Sequence, residues 1–399
     1  MKSIISFLFF IFWINFSFSQ LKDTLYGNVK SIREELTFLD KDRQNYRLFS
    51  VDGDYGHSGF SSNEFTKERF YTLWYKTPYV HYLNYFKEFN QRGQPTKEIW
   101  FYKNGNKVKE YNYKYQDSTR LIQIVEIIDE ESYRVTNKSY DYNNKLKAQI
   151  SYSSDEPQYF FYNYNIYDDN LRIIETNSYD SEGAISGTKT IYDEEGRIKK
   201  NIIRDYWVRN YKDGRIHSYG PTAYATDKLK DEFFYNTDGN LAEIFHYNKA
   251  SIDENQVELK GKTKNFYFKN GLIEYIVKTT AYDTINSLIR FKYDKLGRKV
   301  EEMIVYPNHI KSEKNIKIFD KNILKLDNIY FPKIDFKIAR IENYVYDDKN
   351  LTKLIYQEDS RKVVCKFEYV FDKNNNWIEQ VKYINGEKLY VWKRQITYW

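Results

Sequence analysis

The residues able to do chemistry are few and scattered. The five histidines, His57, His81, His217, His246 and His309, show neither metal-ligand spacing nor a His-Glu-x-x-His pattern. In "VDGDYGHSGF", Asp52, Asp54 and His57 stand close together. A calcium loop needs oxygen ligands at alternate positions, and Gly56 occupies the third, so the stretch reads as a polar turn. Ser58 lacks the second glycine of a nucleophile elbow. Glu194 with Glu195, and Asp347 with Asp348, are paired carboxylates in turn-like contexts. Glycoside hydrolysis needs two carboxyls across a cleft, which sequence spacing does not reveal. Cys365, the only cysteine, lies in the apolar run "KVVCKFEY" and reads as a small core residue. No catalytic residue, metal site or cofactor motif is read.

Aromatic contacts are the stronger lead. The chain has 41 Tyr, 27 Phe and 7 Trp in 399 residues. Tyr and Trp offer large, rigid contact surfaces. Trp74, Trp100, Trp207, Trp377, Trp392 and Trp399 lie beyond the leader. The segment "DYWVRNYKDGRIHSYGPTAYATD" interrupts a regular repeat and holds Trp207, Tyr211, His217 and Tyr219. Irregular segments on regular scaffolds often carry function, so these four are the candidate binding residues.

The elements positioning them form that repeat. Aromatics before a turn recur at Phe89, Tyr115, Tyr142, Tyr167, Tyr192, Tyr211, Tyr235, Phe268, Tyr293, Phe319, Tyr346 and Phe371, mostly 24 to 27 residues apart. Echoes at Tyr102, Tyr179 and Tyr383 fall half a period away. Phe367, Tyr369 and Phe371 alternate with Lys366, Glu368 and Val370, the period of a strand. Turns such as "DEEGR", "NTDGN" and "DKLGR" place Gly where a hairpin requires positive φ, and Asn takes that slot in "DDKNL" and "DKNNN". The unit is two strands and two turns. After the turn a hydrophobic residue is followed two positions on by Glu, at Glu110, Glu175, Glu243, Glu274, Glu302 and Glu379, or by Lys at Lys200 and Lys353. Stacked in register these make a charge-paired rib, or alternatively an acidic stripe for cations or basic partners.

"YDEEGRI", "YNTDGNL", "YDKLGRKV" and "YDDKNLTKL" resemble the tyrosine-aspartate repeats of RHS-type proteins, with a weaker likeness to MORN-like antitoxin-type repeats. The resemblance spans about residues 85–399. It implies a β-sheet wound into a spiral shell, in exported bacterial proteins that wrap cargo or bind at surfaces. No Asp-Pro-x-Gly self-cleavage motif is present.

The expected fold is all-β: antiparallel hairpin repeats forming a long, twisted, coiled sheet. About 24 strands laid flat would leave one aromatic face wet, so the sheet should curl. Residues 1–19 read as a signal peptide cleaved after Ser19, with Lys2 before an apolar run from Ile4 to Ile14 and small residues at Ser17 and Ser19. Residues 20–84 are expected to cap the stack, and residues 85–399 to form the repeat domain. No transmembrane span is expected after cleavage. With 62 basic and 56 acidic residues interspersed, no nucleic-acid partner is expected. The leading functional expectation is an exported, non-enzymatic bacterial protein binding a protein or glycan at the envelope or outside. The alternatives are a polysaccharide-acting enzyme, or a shell or accessory component of an RHS-type toxin system.

Overall fold

A computed structural model describes residues 25–39, 84–101, 105–129, 131–181, 183–212, 215–248, 258–307, 336–348 and 350–399. The expected signal peptide lies outside the described residues. Every regular element among them is a strand: β1 (Val29–Phe38), β2 (Asn84–Phe89), β3 (Pro95–Phe101), β4 (Lys107–Tyr115), β5 (Leu121–Ile127), β6 (Tyr133–Tyr140), β7 (Leu146–Ser153) and β8 (Phe160–Tyr167). The chain continues through β9 (Ile173–Asp180), β10 (Gly183–Tyr192), β11 (Ile198–Lys212), β12 (Arg215–Tyr235), β13 (Leu241–Asn248), β14 (Glu258–Tyr267) and β15 (Ile273–Thr280). It ends with β16 (Ile285–Tyr293), β17 (Lys299–Pro307), β18 (Phe336–Asp347), β19 (Asn350–Glu358), β20 (Arg361–Phe371), β21 (Trp377–Ile384) and β22 (Glu387–Tyr398).

All 22 strands belong to one antiparallel sheet. β1 pairs with β2 through Ser31–Glu88 to Glu35–Asn84, and with β22 through Val29–Tyr398 to Phe38–Tyr390. The first strand therefore lies between the second and the last. This corrects the expected open, coiled sheet: the pairing is that of a closed antiparallel β-barrel. An open sheet leaves backbone donors and acceptors at two end strands, and β1 takes up those of both β2 and β22. Hairpin periodicity carries no information about such a pairing across the whole chain.

Two compact units divide the chain. One comprises residues 1–108, 344–356 and 362–399, the other residues 109–343 and 357–361. The first has a dense core of Tyr344, Leu351, Leu354, Tyr356, Val363, Cys365 and Phe367. Charged groups are buried in this unit too. Glu34 lies directly opposite Arg394, whose Nε donates to Glu34 Oε1 at 3.0 Å with both side chains shut from solvent. The Arg394 guanidinium lies 3.4 Å from the Trp377 ring centroid. Lys382, also fully buried, sits in register between Phe367 and Tyr390, 5.5 and 5.7 Å from their rings. In the second unit Tyr275, Val277, Ile285, Leu288, Met303 and Val305 form a core cluster over β15–β17.

Alternate turns share one construction. In β8–β9 the Asp168 N–H donates to the Arg172 carbonyl and the Leu171 N–H to the Asp168 carbonyl. Asp168 Oδ1 accepts from the amides of Asn170 and Arg172, and Oδ2 from Arg172 Nε at 2.7 Å. The same loop recurs at Asp141, Asp193, Asn236, Asp294 and Asp372. Its fourth residue has positive φ, as in Gly196 at 82° and Asn375 at 62°. Two expected frame positions shift: the aromatic before the turn is Tyr140, not the exposed turn residue Tyr142, and Tyr267, not Phe268, which opens its turn.

Five tyrosines standing before such turns have a partner in the preceding hairpin. Tyr140 donates to the Leu121 carbonyl, Tyr167 to Leu146, Tyr192 to Ile173, Tyr235 to Ile198 and Tyr267 to Leu241, all at 2.7–3.0 Å. Each acceptor lies two residues beyond the end of a backbone ladder. The β7–β8 pairing stops at Ala148–Tyr164, and Leu146 comes next on its side. The hydroxyl thus closes the joint where adjacent hairpins diverge. Arginine from the preceding turn covers two of these rings: Arg172 lies 4.3 Å from the Tyr192 ring, Arg197 4.4 Å from Tyr235.

Burial, with the Asp193 charge nearby, pushes the Tyr235 phenol up to about 12, and burial raises Tyr192 and Tyr267 too. A phenol raised in the folded state stabilises fully below its unfolded value near 10, and that contribution is lost as pH rises through about 12. Stability measured by denaturant titration should therefore fall over this window. Tyr235→Phe should cost about 1 kcal/mol at neutral pH and flatten the alkaline fall. Glu34→Gln, which leaves Arg394 buried without a carboxylate, should cost about 3–5 kcal/mol in the same assay.

Candidate functional site

Over residues 109–204 and 227–247, those whose burial is described include only five buried ones, Glu110, Val135, Ala148, Asn177 and Gly187. Both faces of these strands are partly open to solvent, so residues there are free to meet a ligand. Strand register aligns two rows on one face. Gln123, Asn137, Ile150, Tyr162, Tyr179 and Ala184 form the first; Ser139, Ala148, Tyr164, Asn177 and Gly187 form the second. Neither row contains a charge as far as β10; the second continues to Arg204 on β11, which pairs with Glu175 and Asp227.

Three tyrosines cluster at its centre. Tyr164 and Tyr179 stack at 6.0 Å with a 13° interplanar angle, and Tyr162 lies 6.1 and 6.4 Å from them. Tyr162 and Tyr164 share a face because they are two apart on β8; register adds Tyr179 from β9. Amides flank the rings: Gln123 Nε2 donates to Asn137 Oδ1 at 2.9 Å, and Asn177 is buried beside Gly187. A Cβ on Gly187 would lie 2.7 Å from Asn177 Oδ1 and 2.9 Å from the Thr176 carbonyl, so glycine there lets the amide pack. The other face carries hydroxyl and amide pairs, Thr136–Ser151 at 2.8 Å, Ser178–Asn163 at 2.5 Å and Thr176–Thr188 at 2.6 Å.

The segment expected to bind through Trp207, Tyr211, His217 and Tyr219 is a long paired ribbon. β11 has 15 residues and β12 has 21. β10 pairs with β11 only as far as Asp205, and β13 with β12 only from Asp231. Between these limits the two strands pair only with each other. Trp207 opposes Pro221, Arg209 opposes Tyr219 and Tyr211 opposes Ile216, with His217 skipped at a register shift. The ribbon thus places Trp207, Tyr211 and Tyr219 on strands rather than an irregular loop.

The remaining candidates divide. Asp52, Asp54, His57, Ser58, Trp74, His81 and His309 lie outside the described residues. Cys365 is fully buried in the core, as expected of a small core residue. Trp100, Trp377 and Trp392 are core, whereas Trp399 is half-exposed with the Lys30 ammonium 4.9 Å from its ring. Four rib glutamates pair with cations: Glu175 with Arg204 at 2.9 Å, Glu243 with Lys264 at 3.4 Å, Glu302 with Arg340 at 2.8 Å and Glu379 with Lys393 at 3.8 Å. This favours the charge-paired rib over an acidic stripe. The Tyr162–Tyr164–Tyr179 cluster was not singled out by sequence. Its signal was "FFYNYNIY", where rings alternate with amides.

No family profile matches the sequence, and no curated protein matches it. Among solved structures, a Photorhabdus luminescens Tc holotoxin pore with a mutated TccC3 is similar at 11% identity and TM-score 0.35, covering 82% of this chain and 17% of that one. A TcdB2–TccC3 structure is similar at 12% identity and TM-score 0.30, covering 74% of this chain and 17% of that chain. A porin-like protein from Bacteroides uniformis is similar at 12% identity and TM-score 0.19, covering 69% of this chain and 94% of that one. The chain thus spans under a fifth of the length of the Tc toxin chains it matches.

Gly187→Ala should force Asn177 or the β9 backbone aside and cost about 1–3 kcal/mol. A lower denaturation midpoint at unchanged m-value is the expected readout.

Proposed function

We propose that this is an exported protein of a bacterial envelope that binds an uncharged polysaccharide on the exposed sheet face of β5–β10. The carrying observation is the stacked Tyr164–Tyr179 pair with Tyr162, set in two rows that over β5–β10 hold amides, hydroxyls and no charge. Aromatic faces take the apolar side of a sugar ring, and neutral amides exchange hydrogen bonds with hydroxyls. The leader pattern at residues 1–19 supports export. The Tyr-Asp turn, in which Asp closes its own hairpin and Tyr joins the preceding one, supports kinship with tyrosine-aspartate repeat proteins.

The test is a panel of neutral and anionic polysaccharides by affinity electrophoresis and glycan array, beside pull-down from envelope extracts. Binding should favour neutral polymers and change little with salt, since no charges are paired. Tyr164→Ala or Tyr179→Ala should each weaken it roughly 3- to 10-fold while Tyr142→Ala, at an exposed turn, leaves it unchanged. An empty glycan panel together with specific retention of an envelope protein replaces this reading with protein binding.

A further inference from the structure

Four adjacent strands bring the parts of an acyl-transfer site onto one face, away from the tyrosine cluster. Asp231 on β12 lies opposite His246 on β13, and His246 lies opposite Gly261 on β14. Thr263, two residues after Gly261, lies opposite Lys278 on β15. Asp231 Oδ1 is 2.7 Å from His246 Nδ1, and His246 Nε2 is 2.9 Å from Thr263 Oγ1. A carboxylate only accepts hydrogen bonds, so Nδ1 carries the proton. Nε2 is then the acceptor, and the Thr263 hydroxyl donates to it. This is the order of nucleophile, base and orienting carboxylate that activates a hydroxyl.

The surroundings supply two further requirements. Lys278 is directly opposite Thr263, and side chains so paired have Cβ atoms about 5 Å apart. Lys278 is an exposed residue whose side chain is long enough to bring its ammonium to an oxyanion formed at Thr263. Gly261 separates His246 from Thr280 along one row and has no side chain. A Cβ there would lie 2.3 Å from the Thr279 carbonyl oxygen, so backbone crowding demands glycine. Gly261 is therefore packed tightly against β15, and access to the imidazole is from its solvent side. The imidazole is 39% exposed, which leaves it open to a substrate, while the Asp231 side chain is 14% exposed.

We infer that Thr263, His246 and Asp231 form a nucleophilic relay that cleaves acyl esters, with Lys278 stabilising the oxyanion. Thr263 Oγ attacks the ester carbonyl and its proton passes to His246 Nε2. The tetrahedral oxyanion faces the Lys278 ammonium. It collapses to acyl-Thr263 as the alkoxide leaves, taking the proton from His246. Water, deprotonated by His246, attacks the acyl-Thr263 carbonyl, releasing the carboxylic acid and restoring the Thr263 hydroxyl. Thr263 and His246 are the catalytic residues; Asp231 is a positioning residue. The inference is independent of the polysaccharide reading.

The full chain is treated with a fluorophosphonate, which loses fluoride on reaction with an activated hydroxyl, and digested for mass spectrometry. An adduct on Thr263 is expected, retained in Thr263→Ser and lost in Thr263→Val and His246→Gln. Hydrolysis of p-nitrophenyl acetate should fall by about 10² in Thr263→Val. Asp231→Asn should lower the rate and displace its pH profile, a change that loss of packing alone does not produce. Thermal melts of each variant report folding. Absence of the Thr263 adduct from wild type, or wild-type hydrolysis by a folded Thr263→Val, overturns the inference.

Discussion

The structure depends on a hydroxyl meeting a carbonyl at the joint between successive hairpins. A long antiparallel meander has a recurrent weakness. Within each hairpin the ladder runs to the turn, but neighbouring hairpins diverge before it and leave a carbonyl without its backbone donor. Tyr167 and Asn165 both reach the Leu146 carbonyl, and Tyr267 and Asn265 both reach that of Leu241. An unsatisfied, partly buried carbonyl would cost as much as the bond contributes. The aspartate locks the turn, the tyrosine joins it to its predecessor, and arginine covers the ring. Aspartate and tyrosine, with arginine over the Tyr192 and Tyr235 rings, therefore hold backbone to backbone.

This division of labour releases the faces of β4–β13 from forming a core. Cross-strand pairs of modest energy suffice on a sheet whose ends are locked. One face can then carry rings and amides, and the other hydroxyl pairs. The unit containing β1, β2 and β22 is built differently. There the closing strand is keyed by Glu34 against Arg394. Side chains alternate with a period of two, so a slip of β1 by one residue would carry Glu34 to the opposite face and strand Arg394 in the core. The buried pair thus penalises wrong registers more strongly than it stabilises the right one.

Much of the local structure was legible. Ring-and-charge alternation gave the strands, and Asp or Asn before Gly gave the turns, including "INGE", where Asn385 and Gly386 both have positive φ. Frame errors arose where two aromatics adjoin a turn, as at Tyr140 with Tyr142 and Tyr267 with Phe268, because composition does not say which ring faces the preceding hairpin. Closure was not legible, since the partner of β1 lies more than 300 residues away and leaves no periodic trace. The tyrosine cluster was hidden for a related reason. Tyr164 and Tyr179 stack through register, and tyrosine is too common in this chain for any pair to stand out. His246 looked isolated because Asp231 and Thr263 are 15 and 17 residues distant, about one hairpin each way.

The alternation of turns also bears on where variation is tolerated. In a meander every second turn lies at the same end of the strands. The turns opening at Asn90, Asp141, Asp168, Asp193, Asn236, Asp294 and Asp372 occupy one end and share one construction. At Asp141, Asp168, Asp193 and Asn236 the tyrosine before the turn ties it to its neighbour, so a change there disturbs two hairpins. The opposite end uses other ties, such as those of Asn385 with Val364 and Ser154 with Tyr133. The paired ribbon of β11 and β12 grows from it, lengthening two strands without altering any joint. A sheet assembled this way conserves its architecture at one end and remains free to acquire recognition surfaces along its faces and at the other.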